Sequence, residues 1–358
     1  MARAKSIDRD VFTSTSKPLV QAPILEQQLR LHIKTPGALG TLEWVKVEAL
    51  QEPLGADEVE FEIRAVGVSF KDSLALLGRV FMENFGTECA GVVTKVGPSV
   101  TTIKPGDRVA TGVFDTYGTY TRVPQADAWE LPDHISFTEA ASIPTAFRTA
   151  YYCLSEIARL QEGESILIHR ASGATGQAAI QLAQTMGAII YATVGSTAKK
   201  QMIVEQYGIN PDHILYSRDT SFAEGIRRLT MARGVDVVLN SLTGKLLEAS
   251  WEIIAPWGRF VEIGLSDVFM NGRLPMVPIT RGASFLSFNL TMFKPGPKHS
   301  RLMNKVWDLF RTGEIRPVYP LQIYPIEKIE SAFRYIQSGD SSGKLVIELD
   351  KNSVIPVR

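Results

Sequence analysis

The sequence predicts an α/β protein in which a doubly wound parallel sheet is inserted into a second, mainly β domain. Between residues 163 and 290, short apolar runs alternate with helical patterns, as in a parallel sheet covered by helices. Many short strand candidates separated by turns precede this region, and a helix–strand pattern follows it. We therefore predict a lead-in over 1–28, the β domain over 29–150 and 291–358, and the parallel sheet over 151–290.

The β domain is predicted from short segments with strand composition, separated by Pro-Gly and Gly-rich turn signals. Its strand candidates are 29–34, 41–49, 58–68, 86–97, a strand that follows the turn at 104–109, and 118–123. A short helix is predicted over 69–77 and longer helical segments over 138–150 and 151–160. Residues 1–28 are polar and lack a repeating pattern, so we expect a linker or an extended lead-in.

The parallel sheet is predicted from apolar, β-branched runs, which are typical of strands buried on both faces. Its strand candidates are 165–169, 188–194, 213–216, 235–240, 258–263 and 283–290. Helices with apolar residues at helical spacing connect them, over 174–186, 199–207, 221–232 and 246–254. After the sheet we predict helices over 301–311 and 325–337 and a final strand over 344–349.

A glycine turn joins the first parallel strand to its helix. Ala171, Ser172, Gly173, Ala174, Thr175 and Gly176 form an A-x-G-x-x-G pattern. In a strand–turn–helix unit, the first glycine of this pattern, Gly173, lets the backbone approach a pyrophosphate. The last glycine, Gly176, lets the helix pack closely on the strand. The free N–H groups and the dipole at the helix start favour phosphates. The turn therefore predicts a dinucleotide site.

The residues after the second parallel strand favour NADPH as the dinucleotide. NAD sites usually have an Asp or Glu there that binds the ribose 2′-hydroxyl, whereas this chain has Ser196, Lys199 and Lys200. Arg218, after the third strand, could reach the same phosphate. A hydroxyl and several cations suit a 2′-phosphate; the alternative is that these cations are solvated surface charges.

Composition argues against several other classes of protein. The 358 residues carry 38 basic and 38 acidic side chains, and this balance argues against nucleic acid or an anionic membrane as the main partner. We find no apolar stretch near the ~20 residues of a membrane span, and the N-terminus lacks a signal-peptide core. Cys89 and Cys153 lack metal-site or disulfide spacing, which favours a reducing, cytoplasmic setting.

Several motifs resemble the medium-chain dehydrogenase/reductase superfamily. They are VGVSFKD (66–72), GTECAGVV (86–93), GDRV (106–109) and the glycine turn. Other runs are similar to enoyl reductase domains of polyketide and fatty acid synthases, namely 140–152, 217–222, 235–242 and 258–264. RLHIKTPGAL (30–39) resembles fungal highly reducing iterative synthases. The resemblance implies a Rossmann nucleotide domain, a GroES-like substrate domain and one excised domain of a larger synthase.

The resemblance also implies a reaction. Zinc alcohol dehydrogenases carry Gly-His-Glu where this chain has Gly86-Thr87-Glu88, so no catalytic zinc is expected. A conjugated thioester fits: hydride from NADPH adds to the β carbon and the α carbon is then protonated. The implied partners are an enoyl chain on the phosphopantetheine arm of an acyl carrier protein and neighbouring synthase domains. A free-standing quinone or alkenal reductase and a non-catalytic NADPH-binding protein are the alternatives.

Candidate catalytic residues are Lys71, Asp219, Thr149 and Asn240. A tyrosine proposed as proton donor in bacterial relatives is Phe70 here, so that role is vacant; Lys71, water or Asp219 could serve instead. Lys71 could equally be a surface lysine, and Asp219 could cap the helix that begins near Ser221. The resemblance offers Lys199 or Lys200 as an acid too, but we favour phosphate binding.

Further candidates lie near the predicted nicotinamide. Asn240 and Ser241 end a strand at the carboxyl edge of the sheet, where ligands bind. Gly264 would let the backbone approach the nicotinamide, and Lys344 is expected to face the cofactor. His169 ends the first strand and could line the cleft or be a structural histidine. The apolar stretches 268–276 and 285–293 are expected in the core, with part of them a possible acyl tunnel.

Overall fold

The computed structural model describes residues 20–23, 27–78, 85–292, 296–350 and 353–357. Its helices are α1 (Phe70–Leu76), α2 (Phe137–Ala140), α3 (Pro144–Tyr151), α4 (Ala174–Thr185), α5 (Thr197–Tyr207), α6 (Ser221–Leu229), α7 (Lys245–Glu252), α8 (Ser266–Phe269), α9 (Pro297–Arg311) and α10 (Ile329–Ser338). The strands before α4 are β1 (Val20–Pro23), β2 (Leu29–Ile33), β3 (Leu42–Lys46), β4 (Glu58–Val68), β5 (Cys89–Val96), β6 (Arg108–Thr111), β7 (Tyr120–Pro124), β8 (Trp129–Glu130) and β9 (Ser165–Ile168). Those after it are β10 (Ile189–Val194), β11 (Ile214–Tyr216), β12 (Val235–Asn240), β13 (Ile254–Glu262), β14 (Ser284–Ser287), β15 (Leu321–Pro325), β16 (Lys344–Glu348) and β17 (Val354–Val357).

The predicted doubly wound sheet is present. Six parallel strands lie in the order β11-β10-β9-β12-β13-β14. The chain order therefore reverses between β9 and β12, and the carboxyl edge at such a switch point is where open α/β sheets bind ligands. Side chains alternate between the two faces: Ile166 and Ile168 pack in one core, and Leu167 packs in the other.

The mainly β part contains two sheets. A seven-stranded sheet has the order β15-β16-β4-β5-β6-β8, with β7 also paired to β4. A four-stranded sheet has the order β1-β17-β3-β2. The late strand β16 pairs with β4 from the first part of the chain, so the parallel sheet is inserted within the β part.

Helices α3, α4 and α9 connect the two parts. Phe147 of α3, Ala179 of α4 and Trp307 of α9 are fully buried in one apolar core, which also includes Trp129 of β8 and Val346 of β16. Because this core includes residues of the parallel sheet and of the seven-stranded sheet, the junction between these two sheets is packed. The division of the chain at residues 150 and 290 stays a prediction.

Two sequence expectations differ from the structure. The 138–160 segment is divided: α2 ends before Pro144, α3 begins at it, and a π-helical turn follows over Tyr152–Ile157. A proline fits the first turn of a helix but not its interior, which explains the break. Within the lead-in, which we expected to be a linker or an extended segment, Val20–Pro23 form the strand β1, paired with β17; residues 1–19 and 24–26 lie outside the described residues.

The second difference concerns the apolar stretch 268–276, which we expected in the core. Phe269, Met270 and Met276 are exposed, with 68%, 80% and 68% of their surfaces accessible. In the second stretch Phe288 is buried, whereas Phe293 lies outside the described residues. Hydrophobicity alone did not show which face of this segment would be covered. No helix in the described ranges is long and apolar enough to cross a membrane.

Candidate active site and nucleotide site

The glycine turn has the geometry of a phosphate-binding loop. A Cβ on Gly176 would lie 2.6 Å from both the Ala171 Cα and the Arg170 carbonyl oxygen, so only glycine lets α4 pack this close to the turn. Gly173 is the N-cap of α4 and offers no capping side chain, which leaves first-turn N–H groups to bind an anion. A Cβ there would meet only the Arg170 oxygen, at 3.4 Å, so the backbone is open to a ligand.

We predict that Gly176→Ala destabilises the fold and weakens dinucleotide binding. The new methyl group would meet backbone atoms that cannot rotate away, and overpacking of this kind costs about 1–3 kcal/mol. Urea unfolding and a cofactor titration measure the two effects. Gly40→Ala is the control, because nothing lies within 4 Å of its Cβ position; equal effects of the two changes would contradict the prediction.

Cations gather after β10. Ser196 caps α5 by accepting from the Lys199 N–H at 3.4 Å. The Lys199 ammonium donates to the Ser341 carbonyl at 3.0 Å, and burial lowers the Lys199 pKa, as do Arg218 and Arg170, against the opposing effect of Asp340. Both arginines therefore act electrostatically on the Lys199 ammonium group. The motif analysis missed Arg170, which directly precedes the glycine turn.

The other two predicted phosphate ligands have local partners. Lys200 donates from Nζ to the Ile214 carbonyl at 2.9 Å, on the strand beside β10. Arg218 is exposed and donates from Nε to the Gly195 carbonyl at 2.8 Å. The guanidinium of Arg218 therefore lies over the β10 end, whereas Lys200 is directed toward β11.

At the carboxyl ends of β12 and β13, Glu262 organises the predicted nicotinamide residues. Asn240 is fully buried and donates to the Glu262 carboxylate. The same carboxylate accepts from the backbone N–H groups of Gly264 and Leu265, the latter at 2.9 Å. Burial raises the pKa of Glu262. Ser241 is half-buried beside this network. Sequence analysis missed Glu262, which lies inside a quoted motif.

His169 is a structural histidine in this arrangement. It is buried between Thr193, at 2.9 Å from Nδ1, and Ser250, at 2.8 Å from Nε2. Burial lowers its pKa to about 3, so the ring is neutral at physiological pH. The imidazole therefore links β9, β10 and α7.

The C-terminal segment ties the glycine turn to the β domain. The Gly343 N–H donates to the Ser172 carbonyl at 2.8 Å, and Gly343 and Gly173 form a parallel bridge. The next side chain, Lys344, is 4% exposed and forms an ion pair with Glu88, which is fully buried. The Glu88 carboxylate also accepts from the Thr145 N–H at 2.7 Å. The Lys344 ammonium group is thus directed at Glu88, and a contact between Lys344 and the cofactor stays a prediction.

Lys71 lies at the start of α1, beside a buried acid. Ser69 and Asp72 form a capping box, and Asp72 also accepts from the Gly86 N–H at 3.2 Å and the Tyr117 hydroxyl at 3.3 Å. Burial raises the pKa of Asp72 and lowers that of Lys71 to about 8. Asp72 opposes the Lys71 shift and Arg148 adds to it. Lys71 can therefore change its charge near neutral pH.

Helix α3 brings threonine hydroxyls to the junction between the two parts. Thr149 is buried, with 7% of its surface accessible, and Thr145 lies one turn earlier on the same face. The Thr145 hydroxyl is 2.9 Å from that of Thr87. Thr87 stands where the zinc enzymes carry histidine. In the described ranges, no group of three or more His, Cys, Asp or Glu side chains could hold a metal ion.

Asp219 is separate from this constellation. It is exposed and accepts from the Ser221 N–H at 2.9 Å, at the start of α6. Hydrogen bonding to the Ser221 side chain, and then to its backbone N–H, lowers the pKa of the Asp219 carboxyl group. The local geometry is that of a turn preceding a helix whose N-cap is Thr220, so Asp219 lies just outside the helix that the sequence expected it to cap.

Comparison with known proteins identifies the family. Residues 55–133 match the family described as "Alcohol dehydrogenase GroES-like domain", and residues 210–347 match "Zinc-binding dehydrogenase". Highly-reducing polyketide synthase 1 of Aureobasidium melanogenum is 48% identical over 90% of this chain, and phiA, a highly reducing polyketide synthase of a fungal species, is 45% identical over 89%. The chain spans 15% and 12% of the lengths of these two relatives.

A solved structure matches over its full length. The crystal structure of the CurK enoyl reductase is 33% identical, with a TM-score of 0.81, and the match covers 90% of this chain and 100% of that one. The predicted Rossmann and GroES-like architecture is confirmed, and the dinucleotide-binding fold of these reductases is present. This chain belongs to the enoyl reductase family of polyketide synthases, an oxidoreductase family within the medium-chain dehydrogenase/reductase superfamily.

Proposed function

We propose that the chain is an NADPH-dependent enoyl-thioester reductase of a polyketide synthase. The substrate is an α,β-unsaturated acyl chain on the phosphopantetheine arm of an acyl carrier protein, and neighbouring synthase domains are its other partners. The full-length match to an enoyl reductase carries the proposal. The glycine turn lies beside the β domain, because Gly343 joins it to the buried Glu88–Lys344 pair, and this position supports the proposal. Buried, unpaired Cys89 and Cys153 support a reducing compartment such as the cytoplasm.

The residues present fit NADPH. The α4 N-terminus, from Ala171 to Gly176, would hold the pyrophosphate. Lys199, Arg218 and Arg170 would surround the 2′-phosphate, with Ser196 beside them and Lys200 at the rim. Asn240, Ser241 and Gly264, ordered by Glu262, would adjoin the nicotinamide with Thr149. When bound, the cofactor supplies the hydride.

The chain's own residues then handle charge and protons. Reduction at the β carbon moves electrons toward the thioester oxygen, so a cleft that stabilises negative charge accelerates the reaction. The α carbon must afterwards receive a proton. Lys71 is the titratable group that we assign to this step, with water as the alternative source. Asp219 is exposed and hydrogen-bonded in the turn before α6, which favours a local structural role over an acid role.

NADPH oxidation with a short 2-enoyl pantetheine thioester tests the proposal. We expect turnover with NADPH at least roughly 100-fold above that with NADH, because the 2′-phosphate contacts are charge-assisted. Matched reactions contain a simple quinone in place of the thioester. Turnover with the quinone alone would support the free-standing reductase, and NADPH binding without turnover of either acceptor or of an enoyl carrier protein would support a non-catalytic protein.

Lys71 gives the reaction a predicted pH dependence. Its pKa of about 8 means that the ammonium is protonated below pH 8 and loses its proton above it. If the ammonium donates the α proton, kcat is constant below pH 8 and falls tenfold per pH unit well above it. In Lys71→Met, kcat falls by roughly 100-fold, within the usual range for general acid catalysis, and the descending limb disappears.

Lys95→Met is the control for this change, since Lys95 is an exposed lysine, 61% accessible, on β5. It should leave the pH profile unchanged. An unaltered profile and rate in Lys71→Met would instead identify water as the proton source. A solvent deuterium isotope effect on kcat would indicate slow protonation, whereas an isotope effect from nicotinamide-deuterated NADPH would indicate slow hydride transfer.

A further inference from the structure

A recess opens on the surface where the chain leaves α3 and where α9 begins. It has a volume of about 210 Å³ and is lined by Tyr152, Glu156, Lys298, Arg301, Leu302 and Lys305. Tyr152 and Glu156 belong to the π-helical turn after α3, a rare geometry that is frequent at functional sites. Leu302 packs in the apolar core and closes the bottom of the recess, while the other five side chains present polar groups. We call this feature the α9 recess.

Positive charge is concentrated along one face of α9. Lys298, Arg301 and Lys305 have i, i+3 and i+7 spacing and are all exposed. Met303 and Trp307, on the opposite face, are fully buried in the core. Arg301 and Lys305 are four residues apart, and like charges at this spacing destabilise a helix. A bound anion would relieve this repulsion.

The chain itself does not neutralise this row. Among the described residues, no carboxylate forms an ion pair with any of the three cations, whereas Arg311, farther along α9, is paired with Asp308 at 2.7 Å. Lys298 is held by a neutral group instead: it donates to the Tyr152 hydroxyl at 2.6 Å, and its ammonium lies 4.6 Å from the centre of that ring. The α9 recess also contains one acid, Glu156. Three cations against one carboxylate leave an excess of positive charge.

Direct contacts connect the α9 recess to the predicted nicotinamide site. The ring of Tyr152 lies 5.1 Å from the ring of Phe288, centre to centre. The Phe288 N–H donates to the Glu262 carbonyl at 2.9 Å. The carboxylate of the same glutamate accepts from Asn240 and from the Gly264 N–H. The recess therefore lies next to the nicotinamide site but outside it, with two aromatic side chains between them.

The proposed substrate carries an anion at the corresponding place. Its acyl group is bound to a pantetheine arm, and a phosphodiester joins the other end of that arm to the carrier protein. The thioester must reach the nicotinamide while the phosphate, one arm length away, stays near the surface. Ammonium and guanidinium groups form charge-assisted hydrogen bonds with phosphate oxygens. A basic surface recess next to the nicotinamide site therefore matches the phosphate of the arm.

We propose that the α9 recess binds the phosphate of the phosphopantetheine arm and so orients the arm toward the nicotinamide. The inference rests on the proposed function. Lys298, positioned by Tyr152, and Arg301 are the assigned phosphate ligands, and Lys305 adds attraction at the rim. The phosphates of NADPH are assigned to a different place, the glycine turn and the cations after β10, so the two molecules do not compete.

Two substrates that differ only in this phosphate test the proposal. They are the 2-butenoyl thioesters of phosphopantetheine and of pantetheine, reduced with saturating NADPH. We expect the wild-type kcat/KM to be at least roughly tenfold higher for the phosphorylated substrate, mainly through a lower KM, since hydrogen bonds between charged groups are strong. In Lys298→Met combined with Arg301→Met, this advantage should disappear. An advantage as large as that of the wild-type protein would overturn the proposal.

Arg311→Met is the matched control for Arg301→Met, because each variant removes one exposed positive charge from α9. Arg311 has its own carboxylate partner, Asp308. Its replacement should leave the preference for the phosphorylated substrate unchanged, whereas Arg301→Met should lose part of it. Increasing salt should weaken the wild-type preference, because exposed charges are screened. Equal losses in the two variants would show attraction by net charge alone and would overturn the α9 recess as the site.

A binding measurement separates this proposal from the proposed function. The probes are the saturated butyryl thioesters of phosphopantetheine and of pantetheine, titrated by calorimetry against the protein with NADP⁺ bound. A preference for the phosphorylated probe that the double variant abolishes would assign the recess even if the wild-type protein reduced no enoyl thioester, in which case the proposed function alone would fail. Reduction of both enoyl substrates with equal kcat/KM would support the proposed function and overturn the α9 recess.

Discussion

Replacing Lys199 with alanine should raise the Kd for NADPH by roughly 10- to 100-fold and leave NADH binding within about twofold. A charge-assisted hydrogen bond contributes about 1.5–3 kcal/mol, and only the 2′-phosphate of NADPH offers Lys199 such a partner. Adding Arg218→Ala should bring the total loss to roughly 1,000-fold. Fluorescence titration of the reduced nicotinamide measures both constants without any substrate.

Lys200→Ala is the matched control. Lys200 is the neighbour of Lys199 in sequence, but its ammonium donates to the Ile214 carbonyl, whereas Lys199 is influenced by Arg170 and Arg218. We expect a change in the Kd for NADPH of less than about threefold, because the half-buried Lys200 ammonium is already engaged by the Ile214 carbonyl. An equal loss of NADPH and NADH binding in Lys199→Ala would mean that the lysine supports the fold of the site instead. A large loss of NADPH binding alone in Lys200→Ala would instead assign the 2′-phosphate contact to Lys200.

Replacing Lys344 with methionine should lower the free energy of unfolding by about 3–5 kcal/mol, because it leaves the Glu88 carboxylate buried without its counter-ion. Because Gly343 bridges to Gly173, we also expect weaker NADPH binding. Urea unfolding in the absence of cofactor measures the change in the free energy of unfolding. Glu88→Gln combined with Lys344→Met removes both charges and should recover part of the loss.

The control for this pair is Arg334→Met. Arg334 and Glu330 form an ion pair on the exposed face of α10, where such pairs contribute about 0–1 kcal/mol. A similar small effect for Lys344→Met would show that the buried pair has little net value. A double-mutant cycle isolates the coupling between Glu88 and Lys344 from the packing change of each single variant.

Local sequence patterns determined the parallel sheet. The strand β12 begins and ends where it was predicted, at Val235 and Asn240. The helix α4 begins at Ala174 as predicted and ends one residue short of Met186. These elements could be read from the sequence because a strand buried on both faces must be apolar throughout, and a covering helix must be apolar on one side.

The structure of segments whose environment depends on distant residues could not be predicted from local sequence patterns. The strand β1 forms through pairing with β17, more than 300 residues later. Phe269 and Met270 looked like core residues but are exposed, because the fold covers other apolar surfaces and not theirs. In each case the local composition was compatible with more than one environment, and tertiary contacts selected one of them.

For the site, the sequence by itself determined the glycine turn, the absence of an acidic residue after β10 and the cations that follow. These depend on short stretches whose chemistry is local. Only the tertiary structure decided that Glu88 pairs with Lys344, 256 residues away, and that His299 holds Arg148, 151 residues away. A buried charge can be satisfied by any residue that the fold brings near, so its partner is fixed by the folded structure and not by spacing along the chain.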